Sequence, residues 1–223
     1  MIKILGKEEY IKYRSLFQKL SSEMDGINYV IDCPWVWDNA KIKKEDTVLD
    51  IGCGGGGLGL LAAMYCKQLY GIDRENYPHF YDTCNKFNIN NAKLIIGNVE
   101  NRIPFDDEFF DVVISVSALE HNNLEKMPVE ENSVNCAVRE IYRVLKKGSI
   151  FVATLAVAPG GGYFSSEQQI LDLFLSGTNF KLLDSSLTGW RYNSPEVSTK
   201  LNDFLSVYDS YQNWLPIGII LKK

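Results

Sequence analysis

The feature that most constrains this chain is a strand that runs directly into glycines. Val48, Leu49, Asp50 and Ile51 form a short apolar run, Gly52-Cys53-Gly54-Gly55-Gly56-Gly57 follows at once, and Leu58 then opens a helical pattern. Glycine permits the backbone conformations of a tight turn and, lacking a side chain, lets a ligand approach the main chain closely. In an open parallel sheet the turn at the carboxyl end of the first strand lies beside the crevice where strand order reverses. A ligand site is expected at this turn.

The rest of the chain supplies the sheet. Strands are expected at Val48 to Ile51, Leu69 to Ile72, Leu94 to Ile96, Val112 to Val116 and Ile150 to Leu155. Helices are expected between them at Leu58 to Cys66, Tyr77 to Phe87 and Val134 to Leu145. Strand and helix alternating in this way make parallel βαβ units, whose strands are buried on both faces, so Val112, Val113 and Ile114 run together without polar alternation. An amphipathic helix precedes them over 7–24, where Tyr10, Tyr13, Leu16, Phe17 and Leu20 recur at helical spacing. Ile27 to Lys44 reads as a connector and a short helix, with Trp35 and Trp37 as packing residues. After the fifth strand come the loop Ala158 to Gly162, a helix capped by Ser165 or Ser166 and ending near Leu175, and two further strands, Phe180 to Leu183 and Ile217 to Leu221.

Charge and cysteines narrow the partners. The 223 residues carry 23 basic and 28 acidic side chains, a formal charge of −5, the wrong sign for a surface that grips polyanions, so nucleic acid and anionic membrane are poor partners. Cys33, Cys53, Cys66, Cys84 and Cys136 are odd in number and form no C-x-x-C pair, which reads as reduced thiols in a cytoplasmic protein. Met1 to Tyr10 lacks the continuous apolar stretch of a signal peptide, and no apolar run approaches the length that spans a bilayer. Oligomeric state is not legible.

Asp73 ends the second strand about twenty residues beyond the glycines, where a carboxylate can accept both hydroxyls of an adenosine ribose. The glycines alone leave two readings open. Gly52-x-Gly54-x-x-Gly57 satisfies a dinucleotide fingerprint, whereas Asp50-x-Gly52-x-Gly54-x-Gly56 satisfies a different pattern.

What surrounds the glycines resembles the class I S-adenosylmethionine-dependent methyltransferases, in the small-molecule branch. Asp50 to Gly56 resembles the family's first motif, Tyr70-Gly71-Ile72-Asp73-Arg74 its second, and Ile96-Gly97-Asn98-Val99 its third. Phe110 to His121, followed by Glu140 to Gly148, resembles its fourth strand and the next helix. The resemblance implies an α/β, Rossmann-like, doubly wound sheet of seven strands with the last antiparallel, helices on both faces, and S-adenosyl-L-methionine as cofactor. Asp50 and the backbone of Gly52, Cys53, Gly54 and Gly56 would hold the methionine end, Asp73 the ribose with Arg74 beside it, Asn98 the adenine edge and Val99 its face, with Ser115 completing the set. The 223 residues then divide into a helical cap over 1–44, a cofactor-binding core over 45–156 and an acceptor-side segment over 157–223. Lys147 departs from the family, which often has proline there.

Methyl transfer from a sulfonium is an in-line displacement that depends mainly on positioning. A hydroxyl acceptor is helped by a general base, and His121, just past the fourth strand, is the expected base. Tyr163 and Trp190 are expected to line an acceptor pocket suited to a sugar or another small metabolite. Ser115-Val116-Ser117-Ala118 is not the Asn/Asp-Pro-Pro-aromatic turn used on amino groups of adenine, cytosine or glutamine. No Pro-Cys pair serves covalent attack on a pyrimidine, and Thr154-Leu155-Ala156 offers no carboxylates to a divalent metal, so a metal-independent reaction is expected. The competing readings are a nicotinamide-dependent oxidoreductase and a non-catalytic module that binds the adenosyl ligand to regulate a partner.

Overall fold

A computed structural model describes residues 2–121, 132–157, 164, 166–183, 194–207 and 215–223. In chain order the elements are β1 (Ile2–Ile4), α1 (Lys7–Glu23), α2 (Asp32–Ala40), β2 (Thr47–Ile51), α3 (Gly57–Ala63), β3 (Gln68–Asp73), α4 (Pro78–Phe87) and β4 (Ala92–Ile96). Next come β5 (Phe110–Val116), a 3-10 turn (Leu119–His121), α5 (Ser133–Val144), β6 (Leu145–Val157), α6 (Glu167–Leu175), β7 (Lys181–Leu182), α7 (Pro195–Leu205) and β8 (Leu215–Lys222).

These strands form one sheet in the order β4-β3-β2-β5-β6-β8. The chain winds from β2 outward through β3 to β4, then crosses back to lay β5 against the other side of β2. Strand order therefore reverses between β2 and β5. Val48 faces Val112 and Ile51 faces Ser115 in parallel register, which brings the carboxyl ends of the two strands level with each other. β8 runs antiparallel to β6. Its far edge is shared by two short strands, β1 against Ile217 to Ile219 and β7 against Leu221 and Lys222, both antiparallel to it.

The core follows from the apolar runs. Val48, Leu49, Val113, Ile114, Phe151, Val152 and Ile219 are wholly buried, as strands covered on both faces must be. α2 lies across β5, β6 and β8 and seats Trp35, 3% exposed, against Gly218, where a Cβ would run into the indole. Trp37 is half-buried and packs edge-on to Tyr65 with ring centroids 5.3 Å apart. Ser166 caps α6, accepting from the Gln169 N–H at 3.2 Å, and Phe174 of that helix lies parallel to Phe151 of β6. Phe164 is buried in the same core. Arg143, near the end of α5, donates to the carbonyls of Ile103 at 2.7 Å and Phe105 at 2.8 Å, so the helix tethers the loop that enters β5.

The structure adds to the sequence reading in four places. β1 is an eighth strand, too short to show period-two patterning. β6 begins at Leu145, five residues before the expected Ile150, because α5 passes into the strand without a loop. α3 ends at Ala63 instead of Cys66. α7 was not anticipated, although Ser194 caps it, Pro195 occupies its first turn, and Val197, Leu201 and Phe204 are buried along it.

Candidate functional site

The glycine turn and the ends of β2, β3 and β5 build the site together. Gly52 holds φ of +68°, a region that L side chains rarely adopt, and a Cβ there would collide with Ala118 after β5. Its N–H donates to the Ile72 carbonyl at 2.9 Å, tying the turn to β3. Two residues on, the Gly54 N–H donates to Asp73 Oδ2 at 2.9 Å, while Asp73 Oδ1 accepts from the Glu75 N–H at 3.2 Å. Asp50, two residues before Gly52, is 5% exposed. Burial, and secondarily the charge of Asp73, pushes its carboxyl up to about 8.

Two cavities adjoin this turn. The first, of about 280 Å³, is lined by the end of β3 (Ile72, Asp73, Arg74), by Tyr77, by Gly97 and Val99 after β4, and by Ala118, Leu119 and His121 after β5. The second, of about 510 Å³, is lined by Asp50 and Gly52 to Leu58, by Asp25, Gly26, Asn28, Tyr29 and Cys33 from the segment leading into α2, and by His79, Thr83 and Val116. Gly52, Gly54 and Ser117 belong to both linings.

Most residues singled out in the sequence lie at these cavities. Asp73, Arg74, Val99 and His121 face the first, Asp50, Cys53 and Gly56 the second, and Gly52 and Gly54 both. Arg74 forms an ion pair with Glu100. Burial raises the Cys53 thiol well above its ordinary value, with Asp50 and Asp73 adding to the effect, which disfavours a nucleophilic thiolate. The His121 N–H donates to the Ala118 carbonyl at 3.1 Å, closing the 3-10 turn on the wall that also carries Asp73 and Val99.

Two of the expected cofactor residues stand elsewhere. Ser115 is fully buried within the sheet, its Oγ donating to the Ile51 carbonyl at 3.2 Å, and it lines neither cavity. Asn98 also lines neither; its Oδ1 accepts from the Glu100 N–H at 3.0 Å and shapes the turn after β4. Tyr163 and Trp190 lie outside the described residues.

Sequence reasoning missed a buried acidic cluster on the α2 side. Ser117 Oγ donates to Asp32 Oδ1 at 3.0 Å, and the Ser117 N–H donates to the Thr154 carbonyl at 3.1 Å. Glu120 Oε1 accepts from the Ala156 N–H at 3.0 Å, while its Oε2 is buried with no hydrogen-bond partner among the described residues. Burial pushes Asp32 up to about 6 and Glu120 up to about 8. Burial also raises the Tyr29 phenol, with Asp32 and Glu120 adding to the shift. Asp32 opens α2 with no local pattern to mark it; only the fold brings it to β5 and β6.

Residues 49–153 match the methyltransferase domain family. The chain is 26% identical over 196 residues to N-methyltransferase 4 of Papaver somniferum, covering 85% of this chain and 49% of that protein. It is 34% identical over 107 residues to a probable cobalt-precorrin-6B C(15)-methyltransferase (decarboxylating) of Methanococcus maripaludis, covering 42% of this chain and 59% of that protein. It thus spans little more than half, or less, of the length of these relatives. In fold it is similar to coclaurine N-methyltransferase bound to N-methylheliamine and SAH, with a TM-score of 0.61 at 12% identity, covering 97% of this chain and 86% of that one. Among the described residues no helix is long and apolar enough to cross a membrane, and no three His, Cys, Asp or Glu side chains gather as a metal site.

Proposed function

Because residues 49–153 match the methyltransferase domain family, we propose that the chain is a class I S-adenosylmethionine-dependent methyltransferase, with S-adenosyl-L-methionine as its cofactor, and that it methylates a small-molecule acceptor. The observation that carries this reading is the meeting of two cavities at one glycine turn. The first pairs a carboxylate, Asp73, with the apolar walls of Ile72 and Val99, a combination suited to a ribose and a base. The second pairs the Asp50 carboxyl with the glycine backbone, which suits the charged end of an amino acid. When bound, the cofactor supplies an activated methyl group on a sulfonium.

The residues of this chain position and desolvate. Asp73 would hold the ribose hydroxyls, and Gly54, bonded to it, fixes the distance between the two halves of the site. Asp50 would meet the ammonium of the methionine end, and Val99 would flank the base. For a hydroxyl acceptor, on a sugar or a metabolite, His121 is the group we assign to take the proton. An amine acceptor that loses its proton to solvent needs no such base, and relatives named for nitrogen and for carbon acceptors occur.

The test is the release of S-adenosylhomocysteine from S-adenosylmethionine over a panel of sugars, phenols, and primary and secondary amines. Acceptor-dependent release supports the reading. Tight binding of the cofactor with no release from any member would favour the adenosyl-binding regulatory module instead.

A further inference from the structure

In S-adenosylmethionine the sulfur joins the ribose to the methionine chain, so a site that splits into a nucleoside cavity and an amino-acid cavity places the sulfur where the two meet. Among the described residues three belong to both linings, and two of them, Gly52 and Gly54, have no side chain. Ser117 is the one that does. Its φ of +43° is unusual for a residue other than glycine, and backbone held in that region gathers at functional sites. The Thr154 carbonyl, accepting the Ser117 N–H at 3.1 Å, helps keep it there.

A serine hydroxyl has one proton and two lone pairs. The proton of Ser117 goes to Asp32 Oδ1 at 3.0 Å. Resting on the methyltransferase reading above, we propose that Ser117, oriented by Asp32, presents a hydrogen-bond acceptor at the methyl-transfer point and so selects substrates whose accepting atom carries an N–H or O–H. A carbon acceptor gains nothing from such a group. Ser117 is a positioning residue in this account, and Asp32 acts through it.

Several groups face this pair. Tyr29 and Cys33 approach from the segment around the start of α2, Thr154 from β6 and Glu120 from the 3-10 turn. Burial, opposed by the hydrogen bonds from Thr154 and Ser117, sets the Asp32 carboxyl at about 6, so it can only accept at neutral pH and gains a proton to donate to Ser117 in mild acid. Glu120, pushed up to about 8, is mainly neutral at pH 7 and does not replace it.

Sinefungin tests this without knowledge of the acceptor, because it carries an amine where the transferable methyl stands. Its affinity relative to S-adenosylhomocysteine is measured by calorimetry for the wild type, Asp32→Asn and Ser117→Gly. The wild type should prefer sinefungin by about ten- to a hundredfold, the range of one hydrogen bond to a charged group. Ser117→Gly, which relieves the positive φ, should abolish the preference. Asp32→Asn, whose amide can donate to Ser117 and turn its hydroxyl proton toward the cavity, should abolish or reverse it. In the wild type alone the preference should fade as pH drops through about 6. A ratio that is the same in all three proteins, or that stays constant from pH 5 to 8, overturns the proposal. A wild type that binds neither ligand overturns the methyltransferase reading itself.

Discussion

The Gly54 N–H donates to Asp73 Oδ2 at 2.9 Å, so the turn after β2 and the carboxylate that closes β3 act as one unit. Removing the carboxylate takes away the proposed ribose acceptor and strands the Gly54 N–H together. Asp73→Ala should weaken S-adenosylhomocysteine at least about tenfold, since hydrogen bonds to a charged group contribute about 1.5–3 kcal/mol each. Asp73→Asn, which keeps one oxygen, should lose less. Calorimetric titration of the three proteins checks the order, and equal affinities would remove Asp73 from the site.

Gly59 sits in the first turn of α3, directly against Asp50. A Cβ at this position would press on Asp50 Oδ2. On an open helix surface Gly→Ala stabilises by about 0.5–1 kcal/mol. Here overpacking should reverse the sign, and Gly59→Ala should cost about 1–3 kcal/mol in urea unfolding. A stabilised variant would show that Asp50 has room to move.

Asp50 also makes a pH prediction. Its carboxyl rises from 3.8 to about 8 in the folded protein, chiefly through burial. The folded state therefore keeps a proton that the unfolded chain has released, and this group's contribution to stability is lost as pH rises from about 4 toward about 8. A ligand ammonium favours the ionised carboxylate, so binding S-adenosylhomocysteine at pH 7 should release protons. The measurement is calorimetry in two buffers of different ionisation enthalpy, with Asp50→Asn as the control in which this release disappears.

Trp35 is a buried contact between α2 and Gly218 of β8. Trp35→Ala should cost about 3–5 kcal/mol, the range for a buried aromatic. Because α2 also carries Asp32, the same variant should weaken sinefungin at temperatures where it remains folded. Denaturant unfolding and a binding titration report the two effects separately.

His121 makes a prediction about acceptor chemistry. If it takes the proton of a hydroxyl acceptor, His121→Ala should slow turnover on hydroxyl acceptors by about 10²–10⁴-fold, the usual range for a general base. Amine acceptors should be affected less. Initial rates on both classes decide it, and an equal loss on both would assign His121 to binding.

The sequence made the site more legible than its surroundings. The turn from Gly52 to Gly57 and the carboxylate at Asp73 are local patterns, because the chemistry proposed for them requires particular residues at particular spacings. Ser115 shows where that logic stops: it stands in a segment that resembles the family, yet its hydroxyl is satisfied by Ile51 within the sheet. Asp32 shows the opposite case. Nothing near it in the chain marks a functional residue, and its meeting with Ser117 across 85 positions depends on how α2 crosses β5 and β6. β1 was missed because three residues carry too little pattern, whereas α7 could have been read from its Ser194-Pro195-Glu196 start.

The most direct measurement of the central claim is the thermal shift of the protein with S-adenosylhomocysteine and, separately, with NADH. The account predicts a Tm that rises with S-adenosylhomocysteine concentration, a rise sharply reduced in Asp73→Ala, and no comparable response to NADH. Stabilisation by NADH with none by S-adenosylhomocysteine would contradict it.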